Sequence, residues 1–193
     1  MTSFFARLRP RAVAAAVFLA ACAAGPAPVT VPDAAAAAAG HTPADVAFMQ
    51  HMIAHHAQAV EMAALVPGRT ETRALLLLAE RVAVSQEDEM ALMRRGLSTR
   101  GEAAPDAHAH HGAHAGMPGM LPPERMAALA SARGAEFDRR FLEAMIFHHE
   151  GAIEMVEALF AAGGGQETEI FQFASHVDSD QRMEIERMRR MLR

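Results

Sequence analysis

A single cysteine, Cys22, is the only thiol in this chain of 193 residues. No internal disulfide can form, so stability must come from packing. Tryptophan, tyrosine and lysine are missing altogether, and the positive charge rests on 18 arginines. Long β-branched runs are also missing, while Ala, Leu, Met, Glu and Arg, all good helix formers, abound. That combination predicts an all-α protein. Catalytic signatures are absent too: there is no nucleophile elbow, no phosphate-binding glycine loop and no H-E-x-x-H. His149-Glu150 supplies a His-Glu step, but the second histidine of the zinc motif does not follow. A binding protein is expected rather than an enzyme.

The chain is rich in 14 methionines and 11 histidines, more than a packed core needs. Its first residues read as a targeting signal. Arg7, Arg9 and Arg11 precede the apolar stretch 12–22, which is too short to span a bilayer comfortably. The ending L-A-A-C resembles a bacterial lipoprotein box. By that resemblance residues 1–21 are a signal peptide and Cys22 is the lipid-modified first residue of an envelope-anchored, periplasm-facing protein. Residues 22–41, rich in Pro and Ala, read as a flexible tether. The formal charge is −5, and loss of three signal arginines and no acid makes it about −8. This excess argues against nucleic acid as a partner and favours a cation.

The domain is expected over 42–193. Thr42, Pro43 and Asp45 form a helix start, Pro67-Gly68 a stop, and Thr70 a cap for the second helix, which should run to about Leu97. Gly163–Gly165 divides a third long helix from a fourth. The two halves repeat: 45–62 matches 138–155, with M-I-A-H-H at 52–56 returning as M-I-F-H-H at 145–149. Ala79, Val82, Gln86, Glu89 and Met93 correspond to Ala174, Val177, Gln181, Glu184 and Met188. Each half (42–98 and 123–193, joined by a His/Met-rich linker at 99–122) is therefore a helical hairpin. Neither could bury its apolar face alone, and two together predict a four-helix bundle.

Helical spacing places Met49, Met52, His55, His56 and Met62 on or beside one inward face. Met145, His148, His149 and Met155 repeat that arrangement, and His51 adds an i,i+4 pair with His55. Gln86 and Glu89, with Gln181 and Glu184, fall on inward seams as neighbours or further ligands. Polar groups facing a core need partners. One account is structural: the imidazoles bond to Gln86 and Glu89, and the methionines fill space. The other is metal binding. Thioether beside imidazole suits Cu(I) or Ag(I), and imidazoles alone suit Cu(II). No histidine has a glutamate three positions before it, which disfavours a di-iron catalyst. Glu61 and Glu154 point away from Met52 and Met145, as salt-bridge partners for arginine or as ligands. The linker adds His108, His110, His111, His114, Met117 and Met120, again a metal-binding composition.

Both copies of M-I-x-H-H-x-x-A-[V/I]-E-M, each followed by a Q-x-x-E helix, resemble the bacterial domain of unknown function numbered 305. That is an exported, ferritin-like family with members implicated in copper binding and copper resistance. The resemblance covers about 42–193 and implies copper, with no organic cofactor, at Met52, His55, His56, Met62, Met145, His148, His149 and Met155. The function expected is an envelope copper scavenger, buffer or chaperone, with copper transfer to an envelope partner that the sequence does not name. A ferritin-like di-metal redox enzyme and a metal-free structural bundle are the alternatives.

Overall fold

The computed structural model describes residues 40–106 and 116–193. The signal, Cys22, the tether up to residue 39, and His108, His110, His111 and His114 lie outside the described residues. Within them the regular structure is helical: α1 (Pro43–Ala64), α2 (Arg73–Thr99), α3 (Pro123–Ser131), α4 (Gly134–Ala161) and α5 (Thr168–Met191). None of these helices is long and apolar enough to cross a membrane.

Local chemistry sets the ends. Thr42 and Asp45 form a reciprocal capping box: the Asp45 N–H donates to Thr42 Oγ1 at 3.2 Å, and the Thr42 N–H to Asp45 Oδ2 at 2.7 Å. Pro43 occupies the first turn, where its missing N–H costs nothing. Asp45 is wholly buried and also accepts from the Gly165 N–H at 2.6 Å, which ties the α4–α5 connection to the start of α1. The second helix starts later than expected. Its N-cap position is Thr72, and the Thr70 hydroxyl instead accepts from the Thr72 N–H at 3.0 Å. Thr70 therefore shapes the turn and does not cap the helix, because its hydroxyl is bonded to the N–H of Thr72 before the first helical residue.

α1 packs on α2, α4 on α5, and the two pairs meet through α1 and α4, with α3 laid against α4. Two apolar clusters form the interior. One gathers Met62, Leu75, Leu78, Phe137, Phe141, Met145 and Met188; the other gathers Phe48, Met49, Met52, Met90, Met93 and Val177. Along each long helix the passage from one cluster to the other is polar: His55-His56 on α1, Gln86 and Glu89 on α2, His148-His149 on α4, Gln181 and Glu184 on α5. All eight residues are buried. A polar layer thus crosses the interior, flanked on both sides by methionines and phenylalanines.

The linker's last residues cover this layer. A Cβ on Gly151 would lie 2.3 Å from the Pro118 carbonyl, and one on Gly119 2.6 Å from the His148 oxygen. Only glycine permits that approach, and Gly119 also sits at φ +74°. Gln58, which stands in the first half where Gly151 stands in the second, clamps the segment. Its Nε2 donates to the Leu121 carbonyl at 2.9 Å, and its Oε1 accepts from the Leu121 N–H at 2.7 Å.

Candidate functional site

Four imidazoles occupy the polar layer, and each is fully buried. His55 and His148 face one another across α1 and α4, with ring centroids 3.8 Å apart and planes tilted by 35°. His55 donates its Nε2–H to the Pro118 carbonyl at 3.0 Å, and His148 to the His55 carbonyl at 2.9 Å. A carbonyl can only accept, so both rings carry hydrogen on Nε2 and a lone pair on Nδ1 when neutral. Neutral they are. Burial, then the neighbouring His56, pushes the His55 pKa from 6.5 down to about 3. Burial, then His55 and the other two imidazoles, holds His148 well below 6.5.

The outer two imidazoles bond to carboxylates. His56 Nε2 lies 2.6 Å from Glu89 Oε2, and His149 Nε2 lies 2.8 Å from Glu184 Oε2. Glu89 and Glu184 are themselves almost wholly buried. A carboxylate on one ring nitrogen fixes the ring and raises the basicity of the other, as in the carboxylate–histidine pairs that support metals. The structural account of the imidazoles is therefore half met. Glu89 is a partner, whereas both amide atoms of Gln86 are buried and unbonded. The Nδ1 atoms of His55, His56, His148 and His149 are likewise buried without a hydrogen-bond partner. An unmet buried nitrogen costs about 1–3 kcal/mol, so four together are a burden unless a ligand uses them. The four rings stand side by side, however, and do not gather three donor atoms within 4.8 Å.

The methionines divide. Met49 and Met52 belong to one apolar cluster, Met62 and Met145 to the other, and Met120 is buried within the linker segment. Met155 is only partly buried. It lines an open cleft of about 310 Å³ between the start of α1 and the end of α4, together with His51, Met117, Pro118 and Glu154. Two thioethers, an imidazole and a carboxylate thus line one cleft, drawn from both halves and from the linker. Glu154 is exposed there and Glu61 is half-buried on α1. Pro118 connects the two places, since it lines the cleft and its carbonyl holds His55. The sequence carried no sign of that link, apart from the glycine at 151 opposite Gln58.

A helical protein whose two halves each present a buried His-His pair, one histidine of each held by a glutamate of the following helix, belongs to a recognisable class. The domain of unknown function 305 matches residues 45–192, and the chain is a member of that family. It is similar to a fragment of this family from Deinococcus radiodurans, with 33% identity over 79% of this chain and 97% of that one, TM-score 0.69. It is also similar to a candidate secreted member from Streptomyces coelicolor, with 27% identity over 75% of this chain and 89% of that one, TM-score 0.66. CopM in its Cu(II)-bound form shares 27% identity over 77% of this chain and 95% of CopM, TM-score 0.65. CopM has also been solved with Cu(I) and with Ag. No functionally curated protein matches the chain in sequence.

Proposed function

We propose that this protein binds copper in the cell envelope, as a scavenger, buffer or chaperone without an enzymatic step. Its helices are read as a ferritin-like four-helix bundle of two repeated hairpins, exported and held to a membrane through Cys22. One observation carries the copper reading: a single cleft is lined by His51, Met117, Glu154 and Met155. Thioethers are soft, weak ligands that protons do not compete for, and with imidazole they favour Cu(I) and Ag(I) over zinc or magnesium. The cleft is open to solvent, so an ion can arrive and leave. Beneath it, through Pro118, lie imidazoles with spare Nδ1 lone pairs that suit either copper oxidation state. The relatedness to CopM supports the choice of metal. His108, His110, His111 and His114 would add further imidazole ligands for copper.

The test is an anaerobic Cu(I) titration of the protein against a chromogenic chelator. The triple change His51→Ala, Met117→Leu, Met155→Leu should weaken retention about tenfold or more, and alanine at the four linker histidines should leave the tight ion in place. Equal competition by the triple variant and the parent would move copper away from the cleft. No competition by the parent would sink the proposal.

A further inference from the structure

The two halves differ at one buried charge. Glu184, which holds His149, also has a permanently charged neighbour: Arg81, half-exposed, brings Nε to 3.5 Å from its Oε1. Its counterpart Glu89 holds His56 in the same way, and is as deeply buried. The residue matching Arg81 in the second half is His176, so no guanidinium reaches Glu89 from that position. Asp180, one turn along α5, stands where the first half has Ser85. Glu89, His176 and Asp180 each bring a donor atom within 4.8 Å of the other two. Among the described residues this is the one place where three such donors converge.

We infer that Glu89, His176 and Asp180 form a site for a borderline divalent cation such as Zn(II) or Cu(II), separate from the soft-metal cleft. The donor set is one imidazole and two carboxylates, which suits a borderline ion completing its sphere with water and does not suit Cu(I). Charge supports it: where one half supplies an arginine, this half supplies a second carboxylate and an imidazole. The geometry is also prepared. His176 and Asp180 lie four apart on one face of α5 with Nε2 and Oδ2 at 3.3 Å, and Glu89 is oriented by His56. Access exists, because His176 is 61% exposed and lines an open groove of about 520 Å³ between α2 and α5. The bound ion would touch the polar layer through the Glu89–His56 pair, so occupancy of this site and the state of His56 are coupled.

The test uses the whole chain with His108, His110, His111 and His114 changed to Ala, which removes competing linker ligands. Zn(II), and separately Cu(II), is titrated by calorimetry into this background and into the same background carrying His176→Ala, Asp180→Asn or His176→Arg. Loss of one equivalent, or a weakening of about tenfold or more, is expected in each variant. His176→Arg should in addition raise the metal-free melting temperature, since it restores the cation that Arg81 gives Glu184. His176 is exposed, so these proteins should fold. Unchanged stoichiometry and affinity in both His176 variants would overturn the site. Whether Zn(II) or Cu(II) shows the loss identifies the ion. The soft-metal reading is tested with Cu(I) and other residues, so either can fail alone.

Discussion

Acidifying the metal-free protein from about pH 7.5 to about pH 5 should strip a measurable part of its stability through the buried imidazoles. His55 has a folded pKa near 3 against 6.5 when unfolded. Between those values the unfolded chain binds a proton that the native state refuses. Stability is then complete above about pH 6.5 and declines as the pH falls, by about 1.4 kcal/mol per unit. At pH 5 the loss from His55 alone is about 2 kcal/mol. His148 is displaced in the same direction and deepens the fall. Urea unfolding followed by far-UV circular dichroism, with a strong chelator present, gives the free energy at each pH. A His55→Gln variant sets an amide N–H near the place of the ring Nε2–H that bonds the Pro118 carbonyl but has no imidazole to charge. Its loss on acidification should be smaller than the parent's by about 2 kcal/mol. Should the variant and the parent lose the same amount, His55 is not buried neutral and the polar layer is wrongly described.

Two further perturbations probe the cover of that layer. Gly151→Ala places a Cβ against the Pro118 carbonyl, and should cost about 1–3 kcal/mol by urea unfolding while leaving helix content unchanged; a neutral result would mean that the linker does not lie on α4. Gln58→Leu strands the buried Leu121 N–H and carbonyl, with an expected cost of about 2–4 kcal/mol. It should also speed hydrogen exchange at the Leu121 amide, and an unchanged exchange rate would remove Gln58 from its role as clamp.

How far the residues foretold this arrangement depends on the range of the interaction. Thr42 with Asp45 and the Gly163–Gly165 break lie within a few residues of what they control, so helix ends could be read directly. Thr70 misled because two threonines stand two apart, and spacing alone does not say which one begins the helix. Heptad spacing placed Gln86, Glu89, Gln181 and Glu184 inside, and all four are buried. Spacing could not say which carbonyl His55 would find, because Pro118 is 63 positions away. Nor could it bring His51, Met117, Glu154 and Met155 to one cleft, since α1, α4 and the linker come together there only after folding.

The repeat was informative in a different way. Where the halves agree, at His56–Glu89 and His149–Glu184, they mark what the packing of each hairpin requires. Where they differ, symmetry has been given up for something particular. Gly151 against Gln58 makes room for the linker on one side and grips it on the other, which carries Met117 to the cleft. His176 against Arg81 leaves Glu89 with exchangeable company where its twin has a permanent cation. A fixed arginine cannot respond to the metal content of its surroundings, whereas a carboxylate–imidazole set can. The departures from symmetry, more than the doubled motif itself, are therefore where ion binding should be sought.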